Sequence, residues 1–322
     1  MKDIVFVVLP GSLLLDLAGP AEAFRLANQR LLQRGRPAAY RLRYAAPQGQ
    51  ALTSVGATLA ALEPLPAPLP DGATVVLLGQ PNGTESPLQR PLPRNWADTR
   101  RWLAHEVAPG LETGRLQLMT VCAGTLLAAD AGLLAGRRCT THHEVLDDLA
   151  RMAPGALVCA NRVFMLDGPV ASSAGVTAGI DLALHLIARD HGDALAATVA
   201  QVMLVYLRRG PEDPQISPLR AGRNHLHPAV HRVQEAVCEE PAADWSLQRM
   251  AALAHVTPRH LTRLFAEHVG RSPRQYVESV RLALAERALQ GGQAPKQAIA
   301  AVGIAGDRQW RRMRARREAV QA

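Results

Sequence analysis

From residue 1 to about residue 207, short β-rich apolar runs alternate with longer segments of helical period, and that alternation leaves few folds open. Apolar strands separated by crossover helices are the mark of a parallel sheet covered by helices on both faces. The strands fall at Ile4 to Leu9, Tyr40 to Ala45, Thr74 to Leu78, Leu116 to Val121 and Val170 to Ser172, with weaker runs at Cys139 to Thr141 and Leu157 to Cys159. The helices are Gly19 to Gln33, Trp96 to Ala108, Gly124 to Leu134, His143 to Met152, Thr177 to Asp190 and Ala194 to Leu207. Four prolines between Glu63 and Asp71 make a stiff surface connection.

The pattern changes at Arg208 to Pro228, where Pro211, Pro214, Pro218 and Pro228 interrupt any helix. Everything after is helical: His231 to Glu239, Leu247 to Ala254, Pro258 to His268, Pro273 to Leu289, Pro295 to Val302 and Asp307 to Glu318. Thr257 before Pro258 and Ser272 before Pro273 each place a hydroxyl at N-cap and proline at the first helical position. Charge changes at the same place. Residues 1 to 244 hold 22 basic and 23 acidic side chains, whereas residues 245 to 322 hold 14 and 5. A near-neutral body thus carries a cationic appendage suited to a polyanion, either nucleic acid or an acidic membrane surface. The expected organisation is an α/β domain at 1–207, a linker and connecting helix at 208–244, and a basic helical domain at 245–322.

Four scattered cysteines make neither a disulfide framework nor a C-x-x-C zinc pair, so reduced thiols in a cytoplasm are expected. Pro10 and Gly11 break the first apolar run too early for a signal peptide. Asp181 and His185 interrupt the most apolar segment, Val170 to Ala188, so no membrane span is expected; one helical turn apart, they read as a surface or interface pair. Pro228 disturbs the common helical face of His225, His227 and His231, and the run His142-His143-Glu144 lacks H-E-x-x-H spacing. No metal and no cofactor are expected.

In the basic domain Leu247, Met250, Ala251 and Leu253 are expected to face inward on one helix, and Leu261, Leu264 and Phe265 on the next. This leaves Arg259, His260, Thr262 and Arg263 outward, donors suited to phosphates and guanine edges in a major groove. A second short helix, the Gly303 turn and an Arg-rich helix repeat the arrangement. The helix between the pairs, about 17 residues and 25 Å long, spaces two recognition helices for successive major grooves about 34 Å apart. The text Leu247-Gln-Arg-Met-Ala-Ala-Leu-Ala, Thr257-Pro-Arg-His-Leu-Thr-Arg-Leu-Phe265, Gly270-Arg-Ser-Pro273 and Arg281-Leu-Ala-Leu-Ala285 resembles the AraC/XylS family of transcriptional regulators. That resemblance implies base contacts by Arg259, Thr262 and Arg263, with Arg308, Gln309, Arg311 and Arg312 in the equivalent places of the second unit. The second unit departs from the family: Ile304 follows Gly303 where Phe is usual, Arg314 stands at an aromatic core position, and the terminal Gly-x-x-Pro is absent. It is therefore read as degenerate and truncated, a looser reader than the first.

In the α/β domain the strand ending at Val121 runs straight into Cys122-Ala123-Gly124-Thr125 and a helix. A strand, a sharp small-residue turn and a helix form a nucleophile elbow, where a helix N-terminus favours thiolate. Leu13-Leu-Leu-Asp16-Leu-Ala-Gly19-Pro20, Val121-Cys122-Ala-Gly124, Ala131-Gly-Leu-Leu134, Thr140-Thr-His142 and Ser172-Ser-Ala-Gly175-Val-Thr-Ala-Gly179-Ile-Asp181 resemble the PfpI/ThiJ superfamily, relatives of class I glutamine amidotransferases. The order of the two domains resembles its GlxA-like branch, and implies a flavodoxin-like parallel sheet followed by an all-α double helix-turn-helix domain. It also implies a ligand pocket at Asp16, Gly79, Gln80, Cys122, Ala123 and His142. Peptidase-like members carry His directly after the cysteine, where this chain has Ala123; isonitrile-hydratase-like members pair the cysteine with an Asp, which Asp16 supplies, and follow it with a hydroxyl, which Ala123 lacks. The resulting expectation is a non-enzymatic cytoplasmic regulator, homodimeric through the α/β domain, that binds a double-stranded DNA operator and answers to a nitrogenous metabolite or amino-acid derivative. The alternative is a cysteine-dependent hydrolase or hydratase, with Cys122, Asp16 and His142 as its machinery and a vestigial DNA-binding arm.

Overall fold

Strands β1 (Lys2–Val7) and β2 (Tyr40–Ala45) flank the first helix, α1 (Leu14–Gln33). A hairpin of β3 (Gln50–Leu52) and β4 (Thr58–Ala60) precedes β5 (Thr74–Leu77). Then come α2 (Arg94–Trp102), a π-helical turn at Leu103–Val107, α3 (Ala108–Glu112), β6 (Gln117–Val121) and α4 (Gly124–Asp130). β7 (Arg138–Cys139), α5 (Leu146–Met152), β8 (Leu157–Val158), β9 (Phe164–Asp167), β10 (Val170–Ser173), α6 (Thr177–His191) and α7 (Asp193–Val202) complete the first unit. The computed structural model describes the chain apart from residues 82–93, 206–208, 212, 214, 216–224, 226, 291–292 and 322, and apart from the side chains of residues 287, 290 and 317–321. It divides into two units, Met1–Gln215 and Ile216–Ala322.

The main sheet runs β2-β1-β5-β6-β10-β9. The first five strands are parallel, and β9 closes the edge antiparallel to β10. Counting the parallel strands alone, this is the flavodoxin-like order 2-1-3-4-5, in which crossovers leave β1 in opposite directions and open a crevice at the carboxyl ends of β1 and β5. The central strands are apolar because both faces are covered: Val75, Val76, Leu77, Leu118, Met119 and Val121 are all buried.

Several elements differ from the sequence reading. Helix α1 begins at Leu14, five residues before Gly19, and so carries Asp16 in its first turn. Gly19-Pro20 reads as a helix start, yet the helix runs through both. A Cβ on Gly19 would lie 2.7 Å from Ile180 Cγ1, so the glycine is there to let α6 approach. The helix from Trp96 is interrupted by the π turn, the one from Gly124 stops at Asp130, and α7 stops at Val202, with Leu207 outside the described residues. The β3–β4 hairpin and β9 carry no strand signal of their own: three or four residues are too few to show a period. Asp181, read as a surface or interface residue, is buried in α6. Among the described residues no helix is long and apolar enough to cross a membrane.

The second unit is α8 (Pro228–Glu239), α9 (Leu247–Ala254), α10 (Pro258–Val269), α11 (Pro273–Gln290), α12 (Pro295–Ala301) and α13 (Asp307–Gln321). Helix α8, read as a connector, is part of the core: Val230, Val233 and Val237 pack with Met250, Leu261, Phe265 and Tyr276. Leu253, expected inward, is 36% exposed, and Ala254 takes its place because the inward stripe runs from partly buried Leu247 through buried Met250, Ala251 and Ala254. Thr257 Oγ1 accepts the His260 N–H, as its N-cap position requires. Ser272 and Gln275 form a reciprocal capping box: Ser272 Oγ accepts the Gln275 N–H at 3.3 Å and Gln275 Oε1 accepts the Ser272 N–H at 2.8 Å. His255, at φ +57, closes the turn between α9 and α10. A smaller second core joins Leu282, Ala285, Ile299, Val302, Ile304 and Met313.

Candidate functional site

The carboxyl edge of the sheet brings Asp16, Gly79, Cys122 and Ala123 together. Cys122 sits between β6 and α4 at φ +55, the left-handed turn of an elbow. Its N–H donates to Ser173 O at 3.0 Å, and its carbonyl accepts from Thr141 Oγ1 at 2.8 Å. Two glycines make room for it. A Cβ on Gly79 would meet Asp16 Oδ2 at 2.6 Å and Cys122 Cβ at 2.7 Å; one on Gly175, itself at φ +90, would meet Cys122 Cβ at 2.2 Å. Asp16 is fully buried, and its two oxygens accept backbone N–H groups from Val176 at 2.8 Å and Gly79 at 3.2 Å.

Electrostatics overturns the expectation of a thiolate. Burial, and then the charge of Asp16, push the Cys122 thiol up to about 12, although the Ala123 amide favours the anion. A seven-residue helix cannot offset desolvation and a neighbouring carboxylate. Burial raises the Asp16 carboxyl as well, against its two amide hydrogen bonds. Burial lowers His142, whose Nδ1 faces the Glu144 N–H at 3.5 Å. Among the described residues no hydrogen bond joins the Cys122 sulfur to His142 or Asp16, so neither is placed as its base. Gln80 donates its side-chain amide to Pro10 O at 2.6 Å and so holds the loop after β1. Val176, which the sequence reading passed over, stands at φ +51 with its N–H on Asp16; its position directly after Ser-Ser-Ala-Gly was the available signal.

A cavity of about 660 Å³ opens at the amino ends of β1, β2 and β6, at the other end of the strands from Cys122. Two of its central polar groups engage each other, with Lys2 Nζ 3.1 Å from Asp190 and Tyr40 OH donating to the same carboxylate at 3.3 Å. It therefore reads as architecture. Among the described residues His142, His143 and Glu144 bring three metal-ligating atoms within 4.8 Å, on one largely exposed turn. The linker histidines instead pack ring against ring, His227 and His225 lying 4.9 and 5.5 Å from His268.

In the second unit Arg259, Thr262 and Arg263 project from α10 into solvent, and His260 is partly covered. The Arg263 guanidinium donates to His260 Nδ1 at 3.1 Å, which holds it along the helix surface. Buried Leu261, Leu264 and Phe265 anchor the opposite face. On α13, Arg308, Arg311 and Arg312 are exposed, while Gln309 Oε1 accepts the Ala305 N–H at 2.8 Å and serves the helix start. Arg314 turns outward, its guanidinium 6.0 Å from the Trp310 ring and 4.0 Å from Glu286. Met313 and Ile304 are buried in its stead. Helix α11, 18 residues and so about 27 Å long, lies between the two pairs in the chain.

Comparison with known proteins agrees with both halves. Residues 102–189 match the DJ-1/PfpI family and residues 250–320 match a helix-turn-helix domain. The HTH-type transcriptional regulator CdhR of Pseudomonas aeruginosa is 31% identical over 296 residues, covering 90% of this chain and 80% of CdhR. The HTH-type transcriptional regulator GbdR of the same species is 33% identical over 177 residues, 54% of this chain. That match spans about half of GbdR, 47% of its length. An isonitrile hydratase of Pseudomonas putida is 33% identical over 138 residues, 40% of this chain and 57% of the hydratase.

Proposed function

The chain belongs to the HTH-type transcriptional regulators that join a DJ-1/PfpI-family α/β unit to a helix-turn-helix domain, and from that premise we propose that it binds operator DNA under the control of a small metabolite held near Cys122. The observation that carries the DNA half is the pair of outward-facing helices. Exposed Arg259, Thr262 and Arg263 on α10, beside a larger core, supply base reading. Arg308, Arg311 and Arg312 on α13, where Gln309 is engaged by its own helix, supply phosphate attraction.

The pocket half rests on Asp16, Gly79, Cys122 and Ala123 with His142 at the side. Asp16 and Glu144 both push the thiol upward, so the potential there is negative and favours an amine or other cationic nitrogen over an anion. That supports a nitrogenous metabolite or amino-acid derivative. A protonated thiol without a hydrogen-bonded base supports sensing over turnover. A second copy, pairing through the α/β unit, is the proposed functional state.

A thermal-shift screen of the full chain against amines, amino-acid derivatives and carboxylic acids tests this, run with and without Cys122→Ala. Stabilisation by a cationic compound that Cys122→Ala weakens is the expected result. Stabilisation by anions alone, or substrate turnover lost in Cys122→Ser, contradicts it.

A further inference from the structure

Near the end of the first unit, Arg209, Asp213 and Gln215 are fastened to elements on two sides of Cys122. On one side Arg209 grips α6. Its backbone N–H donates to Asp181 Oδ1 at 3.1 Å, its Nε and Nη2 to Asp181 Oδ2 at 2.8 and 2.6 Å, and Nη2 also to Thr177 Oγ1 at 2.8 Å. Thr177 follows Val176, whose N–H is held by Asp16. On the other side the Gln215 side-chain amide donates to Thr141 O at 2.8 Å, and Thr141 Oγ1 donates to the Cys122 carbonyl at 2.8 Å. Between these points Asp213 accepts the Gly210 N–H on its side chain at 2.7 Å and the Val163 N–H on its carbonyl at 2.9 Å.

Asp16 therefore reaches Arg209 through Val176-Thr177, and Cys122 reaches Gln215 through Thr141. The first link contains an element suited to two states. Val176 is β-branched yet stands at φ +51 and ψ −116, a conformation that persists only while its surroundings enforce it, and Asp16 accepts its N–H. The grip on Asp181 is itself firm: the carboxylate is 4% exposed, and removing one partner of a buried pair leaves an uncompensated charge.

We propose that the contacts of Arg209, Asp213 and Gln215 act as a strap that reports occupancy of the pocket to the chain leading into the DNA-binding unit. The strap rests on the reading of Cys122 and Asp16 as a ligand pocket. An occupant that shifts Val176 or the Thr141 turn slackens it, and coupling of this kind is reciprocal: freeing the strap loosens the pocket.

The test uses the full chain and iodoacetamide as the probe of the pocket, with the alkylation rate of Cys122 followed by peptide mass spectrometry. Gln215→Ala and Arg209→Gln are compared with Arg25→Gln, which alters an exposed ion pair with Glu22 and an exposed hydrogen bond to Gln29. The strap variants are expected to alkylate at least about fivefold faster than wild type, and the control at the wild-type rate. Gln215→Ala leaves the buried Asp181 pair intact, so it remains informative if Arg209→Gln unfolds. A second arm measures affinity for a duplex selected from a random pool by the wild-type chain, before and after alkylation. Alkylation is expected to change wild-type affinity and to leave that of the strap variants unmoved. Alkylation rates in both strap variants equal to wild type overturn the strap, as does an unchanged response to alkylation in the DNA arm. Absence of any DNA binding by the wild type contradicts the regulator reading instead, and the alkylation rates still judge the strap.

Discussion

The Asp16 carboxylate accepts the Val176 N–H at 2.8 Å, tying the first turn of α1 to a left-handed valine just ahead of α6. Its other oxygen holds the Gly79 N–H, so one buried side chain fixes two of the loops that shape the pocket. Replacing it by alanine leaves the buried Gly79 amide and the partly buried Val176 amide without their acceptor and opens a void. Asp16→Ala is expected to cost about 2 to 4 kcal/mol in urea unfolding. A loss below about 0.5 kcal/mol, the usual range of a surface change, contradicts this role.

Gly175 is packed directly against Cys122. At φ +90, with a Cβ 2.2 Å from Cys122 Cβ and 2.7 Å from its Cα, alanine meets both strain and a clash with backbone. Gly175→Ala is expected to destabilise by more than about 3 kcal/mol. Adding Cys122→Ala removes only the contact with Sγ and restores little, because the contacts with Cβ and Cα of residue 122 remain. Full recovery in the double variant would show that the side chain alone sets the constraint.

The Cys122 thiol gives stability a pH dependence of definite sign. Its folded value, about 12, lies above the ordinary 9.0, so the folded chain keeps a proton that the unfolded chain releases. The contribution is complete below pH 9 and is lost as pH rises towards 12, with a slope approaching about 1.4 kcal/mol per pH unit. Urea unfolding of wild type and Cys122→Ala across that window should converge with rising pH. Parallel curves contradict the raised thiol.

On α13 Arg314 occupies a position where the family has a core aromatic, so it must either unpack the helix or turn outward, and it stands outside near Trp310. Arg314→Gln is expected to change stability by less than about 0.5 kcal/mol, and Met313→Ala, which empties a buried site, to cost about 2 kcal/mol or more. The reverse ranking would put Arg314 back in the core.

Most of the architecture was legible because long apolar strands and capped helices announce themselves: Tyr40–Ala45, Leu247–Ala254 and the Thr257-Pro258 start stand where their residues imply. The turn at Cys122 was legible from the strand and small residues around it, whereas Asp16 was singled out only by a family resemblance and lies in a helix whose start the sequence put five residues later. What escaped notice depends on distant partners. Val176 carries no local sign of its strain, Arg209 looks like any linker arginine until Asp181 is beside it, and the thiol's burial outweighs a helix end that sequence alone makes prominent. Gly19-Pro20 misled for the opposite reason, a strong local breaker overruled by packing against Ile180.

The central claim is that the basic unit reads duplex DNA through α10 and holds it through α13. Fluorescence anisotropy of the full chain on a duplex selected from a random pool, titrated from 50 to about 200 mM salt, tests it most directly. Affinity should fall steeply and linearly on logarithmic axes. Arg311→Ala should weaken selected and unselected duplexes alike and lower the salt slope by about one, whereas Arg263→Ala should cost about 1 to 3 kcal/mol on the selected duplex and little on others. Binding that ignores salt, or no binding at 50 mM, would contradict the account.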